Sequence, residues 1–353
     1  MSVEEQIRAI EEELKKTPYN KATQKHIGKQ KAKLAKLRTE QAKQSAGKGG
    51  LGYGIRKRGD ATVLLVGFPS VGKSTLLNQL TSADSRVAEY EFTTLQVVPG
   101  VLEYRGARIQ VLDVPGLIEG ASMGKGRGKE VISVIRIADL VVFIADARKP
   151  EQAEIMKNEL EQAGLRLDKS PPDIKVKRTE KGGLQITMPK KMGIDKEVII
   201  SVLNEFGVYN AEITIREKAT LDQIVDAMAR NLKYVPSLVA YNKADLVDPD
   251  ERQGLDMSAK EGKGIEELKE AIWGKLGLMR VYLKKIGKPP DLKEPMIVKR
   301  DSTIREIGEK IHNVFVEHFK HARIWGPSAQ FEGQIVGMNL KLRDGDIVEF
   351  HMD

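Results

Sequence analysis

The sequence predicts an α/β protein built on an open, mostly parallel sheet. Ala61 to Val66 is a continuous apolar run, which is the pattern of a parallel strand covered on both faces. Further apolar segments at Arg108 to Leu112, Leu140 to Ala145 and Leu238 to Tyr241 each lead into a loop with polar or charged residues. Because open α/β sheets bind ligands at the carboxyl ends of their strands, these loops are the candidate site.

Composition and length predict a soluble globular protein of more than one domain. The chain has 353 residues, of which 41% are apolar and 31% are charged. Its first residues lack the apolar centre of a signal peptide, and Arg136 and Asp139 interrupt its most apolar run, so we expect neither export nor membrane insertion. The absence of cysteine excludes disulfides and thiolate metal sites, and it fits the cytoplasm as the expected location.

The excess of positive charge lies at the N-terminus. Residues 21 to 58 contain 12 basic side chains and a single acid, Glu40, a density that suits a polyphosphate partner such as RNA or the ribosome. A solvated helix face is the alternative interpretation. The pattern predicts a helix from Glu4 to Lys16 and a second from about Tyr19 to Gln44, which is too poor in apolar side chains to be stable without a partner. A glycine-rich linker follows.

More than 90 residues separate the third and fourth predicted strands, far more than the roughly 30 of a whole βαβ unit, which indicates an inserted α+β domain. We expect a hairpin of IKVKRTE and LQITM, followed by a helix (Lys196 to Glu205), a strand (Ala211 to Glu217) and a helix (Thr220 to Asn231). After Gly277 the pattern predicts a compact sheet with one helix, capped at Ser302 or Thr303, and a final Asp-Gly hairpin.

The segment GFPSVGKST matches the phosphate-binding pattern G-x-x-x-x-G-K-[ST], with the required strand before it and a helical pattern after it. Backbone N–H groups of such a loop converge on phosphate oxygens. We expect Lys73 to reach the β and γ phosphates and Ser74 to ligate Mg²⁺ through its hydroxyl. A chance glycine-rich turn is the alternative. The predicted nucleotide-binding residues of this loop are Pro69, Ser70, Val71, Gly72, Lys73, Ser74 and Thr75.

Two further loops complete the predicted nucleotide site. In DVPG, Asp113 can hold Mg²⁺ through water, and the Gly116 N–H can meet the γ-phosphate. In the segment NKAD, the Asp245 carboxylate can accept two hydrogen bonds from guanine, which adenine does not offer in that arrangement. The loop SAK would close over the base, with the Ala259 N–H toward guanine O6. The base-binding residues are Asn242, Lys243, Asp245, Ser258, Ala259 and Lys260.

GFPSVGKST, YEFTTL, DVPGLIEGA, NKAD and SAK, in that order, resemble the Obg family of GTPases and its developmentally regulated GTP-binding (Drg) branch. The resemblance spans the whole chain. It implies a G domain with an S5D2-like insertion, a basic helical N-terminus, a C-terminal β-grasp (TGS) domain, and association with ribosomes or RNA, often with a small regulatory protein. The expected boundaries are 1–59 for the N-terminal region and linker, 60–168 and 234–277 for the G domain, 169–233 for the insertion and 278–353 for the TGS domain.

The resemblance also extends to the switch segments. It matches Thr94 to the threonine that ligates Mg²⁺ when the γ-phosphate is present, with Thr93 as the weaker candidate. With Lys73 and Gly116, Thr94 completes the predicted catalytic set, and with Ser74 and Asp113 it completes the predicted metal ligands. Residues 120 to 128, rich in glycine, are the expected second switch; a merely flexible loop is the alternative.

Leu117 stands where many small GTPases carry a glutamine that positions the attacking water, and a leucine cannot do this by hydrogen bonding. We therefore expect slow intrinsic hydrolysis, helped by a monovalent cation, a switch residue or a partner. Relatives that use K⁺ usually carry Asn where this chain has Ser70, so K⁺ is only one of these alternatives.

The leading functional interpretation is a GTP-hydrolysing molecular switch that acts on the translation apparatus. The alternative is an RNA or ribosome-binding module in which GTP only tunes affinity. The NKAD segment disfavours a third class, ATP-dependent kinases and ATPases.

Overall fold

The computed structural model describes residues 2–44, 59–81, 98–114, 137–229, 232–248 and 253–353. They belong to two compact units. The first contains the N-terminal helices and residues 158–235, and the second contains residues 137–157, the phosphate-loop region and everything from Pro236 onward. Within these ranges, no helix is both long enough and apolar enough to cross a membrane.

Helices and strands are numbered along the described residues. The helices are α1 (Val3–Lys16), α2 (Gln24–Gln44), α3 (Lys73–Leu80), α4 (Glu151–Gln162), α5 (Lys196–Glu205), α6 (Leu221–Met228), α7 (Ile265–Leu276), α8 (Ile304–Ile311) and α9 (Val314–Glu317). The strands are β1 (Ala61–Val66), β2 (Val98–Tyr104), β3 (Ala107–Asp113), β4 (Leu140–Asp146), β5 (Leu165–Leu167), β6 (Ile174–Arg178), β7 (Leu184–Thr187), β8 (Ala211–Ile215), β9 (Lys233–Val235), β10 (Ser237–Asn242), β11 (Leu255–Asp256), β12 (Leu278–Leu283), β13 (Met296–Lys299), β14 (Phe319–Trp325), β15 (Gln334–Val336) and β16 (Asp346–Met352).

The central sheet of the second unit has the order β11-β10-β4-β1-β3-β2. Its strands pair in parallel except for β2, which pairs antiparallel with β3, so the predicted α/β class is confirmed. Register places Leu65 beside Asp113 and Asp146 beside Asn242. The carboxyl ends of four strands, β1, β3, β4 and β10, therefore meet at one edge of the sheet.

Strand β2 is not among the strands predicted from the sequence. It forms a hairpin with β3, and the two turn residues Arg105 and Gly106 both have positive φ, 51° and 82°. Such a pair of conformations matches the right-handed twist of the flanking strands. The Arg-Gly dipeptide between two apolar segments is the sequence feature that predicts this hairpin.

Helices α3 and α7 share one hydrophobic core with this sheet. Fully buried members include Leu65, Leu76, Ile144 and Ile272. Each such side chain contributes roughly 1.5–3 kcal/mol relative to its exposed state. This burial fixes β1 and α3, and hence the loop between them.

The first unit joins the two N-terminal helices to the inserted region. Helix α2 contacts α5 and α6, which supply the partner that its low apolar content requires. Ile27 and Ala32 of α2 belong to the same core as Val202 and Ile224 of the inserted helices. Strands β5 and β9 pair in parallel at the two ends of the insertion.

The predicted hairpin of the insertion is wrong. β6 and β7 do not pair with each other; β8 lies between them, antiparallel to β6 and parallel to β7. The physical reason is burial, because Ala211, Ile213 and Ile215 of β8 are buried whereas β6 and β7 have no fully buried residue. The central position, with hydrogen bonds on both sides, goes to the most apolar strand.

The C-terminal region forms a sheet of order β13-β12-β16-β14-β15 packed against α8. Helix α8 begins with a capping box in which Thr303 accepts from the Glu306 N–H, which settles the choice between the two predicted caps. The predicted final hairpin is wrong, because the residues before Asp344-Gly345 form no strand with β16. Instead the Asp344 carboxylate accepts hydrogen bonds from the backbone and guanidinium of Arg280.

Candidate nucleotide site

The loop between β1 and α3 has the conformation expected of a phosphate cradle. Gly72, the residue before α3, has φ 93°, and Ser70 has φ 61°. The first helical hydrogen bond runs from Leu76 N to Gly72 O, so the helix begins directly at the end of this loop, where backbone N–H groups can meet an anion. The Lys73 ammonium donates to the carbonyl oxygens of Gly67 and Phe68, at 2.8 and 3.0 Å.

Asp113 lies at the end of β3 beside this loop. Its side chain is 2% exposed, and the Ser74 hydroxyl donates to Oδ2 at 3.4 Å. Oδ1 is buried and has no hydrogen-bond partner among the described residues. Burial raises the pKa of Asp113, and Lys73 and Ser74 partly oppose that rise. A buried, unsatisfied carboxylate oxygen next to a hydroxyl fits a hard cation such as Mg²⁺, and these two side chains could hold it.

Asn242 connects the phosphate loop to the segment predicted to read the base. Its side-chain amide donates to the Val71 carbonyl oxygen at 2.8 Å, and its amide oxygen accepts from the Ala259 N–H at 2.8 Å. The side chain is 4% exposed. Both of its polar groups are therefore used to hold three chain segments together.

Lys243 makes a second connection to the phosphate loop. Its ammonium donates to the Ser70 carbonyl oxygen and to Asp146 Oδ2, both at 2.9 Å. Lys243 has φ 64°, which directs its side chain back over the loop while the chain turns into the 3₁₀ turn Ala244–Leu246. The lysine stem thus lies along the rim of the cradle.

Asp146 also lies at the candidate site, although it is not among the residues predicted from the sequence. Its buried carboxylate accepts from Lys243 and forms two hydrogen bonds with the Arg148 guanidinium, at 2.9 and 2.6 Å. The Arg148 hydrogen bonds, with the one from Lys243, hold the pKa of Asp146 well below its usual range although burial acts to raise it. The sequence feature that could have identified Asp146 is its position as the acidic residue that ends an apolar strand.

The residues predicted to read guanine lie next to one another. Asp245 is exposed, and its pKa is lowered chiefly by a hydrogen bond from Ser258, with smaller effects of Lys260 and Lys263. Ser258 and Ala259 are buried, and Lys260 is exposed. The Met257 carbonyl accepts from the Ala244 N–H at 3.0 Å, which holds the two loops together. An ionised carboxylate therefore points outward between them.

The structure brings together the phosphate loop, Asp113 and both of the loops predicted to read the base, from segments far apart in the chain. Thr94 and Gly116 of the predicted catalytic set lie outside the described residues, as do Leu117 and the second-switch segment 120–128. The described residues therefore include the phosphate loop and the loops predicted to bind the base, but not the predicted switch segments.

Three segments of the chain match known protein families. Residues 62–178 match a family described as 50S ribosome-binding GTPase, and residues 181–278 match the C-terminal region of the same domain. Residues 279–352 match the TGS domain.

Proteins from three organisms resemble the chain along its length. A GTP-binding protein of Methanocaldococcus jannaschii is 50% identical over 99% of this chain and 92% of its own length. The developmentally-regulated GTP-binding protein 2 homolog of Dictyostelium discoideum is 41% identical over 99% of each chain. Ribosome-interacting GTPase 1 of Saccharomyces cerevisiae is 41% identical over 98% of this chain and 97% of its own.

The family matches and the full-length similarity lead to one assignment. The chain binds guanine nucleotides, and its C-terminal sheet is a TGS domain. This protein belongs to the developmentally regulated GTP-binding (Drg) family of GTPases.

Proposed function

We propose that the chain is a GTP-hydrolysing switch that acts on ribosomes or RNA during translation in the cytoplasm. The observation that carries the proposal is the buried Asn242 amide, which joins the Val71 carbonyl of the phosphate loop to the Ala259 N–H of the base-reading loop. Such a connection lets one bound nucleotide contact all three segments. Loss of the γ-phosphate at one end can then be transmitted to the surrounding loops.

In this proposal the phosphate loop holds the triphosphate through its backbone N–H groups, and Lys73 turns from its carbonyl partners toward the β and γ phosphates. Asn242, Lys243 and Asp245 bind the base, with Ser258, Ala259 and Lys260 closing over it. Thr94 and Gly116 approach the γ-phosphate when GTP is bound.

Ser74, Asp113 and Thr94 are the proposed ligands of Mg²⁺. The support is the unsatisfied Asp113 Oδ1 beside the Ser74 hydroxyl. When bound, Mg²⁺ neutralises charge on the β and γ phosphates.

Hydrolysis requires a water to attack the γ-phosphorus while its bond to the β–γ bridging oxygen breaks, giving GDP, phosphate and a proton. The chain's own contribution is to position the phosphates with the loop N–H groups and Lys73. Since Leu117 cannot orient the water, we propose slow intrinsic turnover that rises with a partner, with K⁺ as the alternative activator.

The ribosome proposal draws on the description of the matching family, on the name of the yeast relative and on the basic N-terminal segment. A small regulatory protein is a further proposed partner. For the domains we propose the limits 1–59, 60–168 with 234–277, 169–233 and 278–353.

The test is GTP hydrolysis with and without ribosomes, in sodium and in potassium buffers, for the natural sequence, Lys73→Ala and the exposed control Lys288→Ala. We expect ribosomes to raise turnover of the natural sequence and of the control, and Lys73→Ala to abolish it and the downstream effect on translation. If Lys73→Ala loses hydrolysis but keeps ribosome association and that effect, GTP only tunes affinity and the switch proposal fails.

A further inference from the structure

Three lysines form an exposed row on one face of α2. Lys29, Lys33 and Lys36 are all exposed, and their spacing of four and three residues places them on the same face of the helix. At a rise of about 1.5 Å per residue, the lysine row extends over roughly 10 Å. The acid Glu40, the only one in α2, lies one turn beyond Lys36.

Packing of the helix decides which face carries the row. Ile27 and Ala32 are buried in the core of the first unit. Gly28 is so close to the inserted helices that an added Cβ would lie 3.2 Å from Val202 and 3.3 Å from Leu221. Because this contact fixes the rotation of α2 about its axis, the lysine row is held outward on a rigid support.

Four other basic side chains near the row have acidic partners within the first unit. Lys21, Lys25 and Lys31 lie 3.9, 3.8 and 2.6 Å from Asp195, Glu197 and Asp222 respectively. Arg38 of α2 pairs with Glu11 of α1 at 2.8 Å. In contrast, none of the acids within the described ranges forms an ion pair with a lysine of the row. Acids of the inserted region thus lie beside one set of lysines and, among the described residues, not beside the lysines of the row.

We propose that the lysine row binds the phosphate backbone of RNA. The inference rests on the proposed action on ribosomes or RNA and names the surface that makes the contact. Lysine ammonium groups are point charges that suit single phosphates, and a rigid row of them matches a polyanion. Helix α2 contains no Phe, Tyr or Trp, side chains that often anchor protein interfaces, which favours RNA over an acidic protein.

The experiment compares two triple substitutions of equal charge in the full-length protein. One is Lys29→Gln with Lys33→Gln and Lys36→Gln; the control is Lys21→Gln with Lys25→Gln and Lys31→Gln. Substitution is preferred to deletion of α2, which would uncover the core around Val202. Binding to a fluorescent RNA duplex is titrated between 50 and 300 mM salt, roughly the range in which phosphate contacts are lost. Binding of a GDP analogue and thermal unfolding show that both variants are folded.

For the lysine-row variant we expect the slope of log affinity against log salt to become less negative by about one per lysine, roughly three in total. The control should keep most of the slope. Equal slopes in the two variants overturn the inference, and so does equally tight, row-dependent binding to polyglutamate, which would indicate an acidic protein partner. If the natural sequence binds ribosomes and RNA but the salt slopes of both variants are unchanged, only the assignment of the contact to the lysine row is wrong. If it binds neither, the proposed function itself fails.

Discussion

The Asn242 side-chain amide lies 2.8 Å from the Val71 carbonyl oxygen, a partner 171 positions earlier in the chain. Gly72 makes this approach feasible, because any Cβ at that position would lie 2.4 Å from Asn242 Nδ2. The hydrogen bond between Val71 and Asn242 therefore requires that residue 72 have no side chain.

Gly72→Ala should accordingly disrupt the site. The added methyl displaces Asn242, and a φ of 93° strains any residue with a Cβ. We expect GDP-analogue affinity to fall about 100-fold, equivalent to roughly 3 kcal/mol, as measured by fluorescence titration. The control is Gly274→Ala in α7, where a Cβ would meet open space; it should leave affinity unchanged and stabilise the protein by about 1 kcal/mol. Unchanged affinity of Gly72→Ala would contradict the described geometry.

Asp146→Asn tests the side chain that orients Lys243. Replacing the ionised carboxylate removes a charge-assisted partner of the Lys243 ammonium, so nucleotide affinity should fall about ten-fold, or roughly 1.4 kcal/mol. The low pKa of Asp146 means that the folded protein keeps it ionised at neutral pH. Its stabilising effect is present above the ordinary pKa of aspartate and is lost as pH falls. The stability difference between the two proteins should therefore shrink in acid.

Arg148→Ala is the comparison for Asp146→Asn. The Arg148 side chain is half exposed, so its loss is screened by solvent and should weaken binding less than Asp146→Asn does. If Arg148→Ala has the larger effect on affinity, Asp146 does not act through Lys243.

Asp245→Asn should change base selection. Guanine loses its carboxylate acceptor while xanthine, with a carbonyl in place of the amine, gains a donor. We expect GTP affinity to fall about 10- to 100-fold and XTP affinity to rise, measured by competition against a fluorescent nucleotide. Asp248→Asn, an exposed acid three residues further on, is the control and should not alter the preference. Equal GTP affinity in Asp245→Asn and the control would exclude the base-reading role.

Asp113→Asn should stabilise the nucleotide-free protein while it weakens Mg²⁺-dependent nucleotide binding. Removal of a buried charge with an unsatisfied oxygen should raise the free energy of unfolding by about 1 kcal/mol near neutral pH. Because burial raises the folded-state pKa of Asp113, its ionisation costs stability above that pKa, and the cost vanishes as the carboxyl protonates. The gain should therefore shrink as pH falls.

Denaturant unfolding across the acidic range measures this dependence. Asp60→Asn is the control, since the Asp60 carboxylate accepts from the Arg108 N–H at 2.9 Å and its replacement should not stabilise. A loss of stability in Asp113→Asn would show that its carboxylate is satisfied in the folded protein.

Local patterns in the sequence determined much of this protein. The apolar run Ala61–Val66 and the segment GFPSVGKST predict a strand, a phosphate loop and a helix because their conformations depend on nearby residues. The helix Lys196–Glu205 was predicted with the bounds that the structure shows, since its hydrophobic period and neighbouring turns suffice to define it. The NKAD and SAK segments are predicted to read the base from their motifs and their order in the chain.

The tertiary structure decided which distant segments meet. β8 displaces β7 from β6 because burial, not chain proximity, selects the central strand. Asp146 became a site residue only when β4 placed it beside Asn242, and the lysines of α2 became distinct only when the insertion paired some of them. Side-chain pairing depends on which surfaces come into contact, and that is a property of the folded chain and not of any single segment.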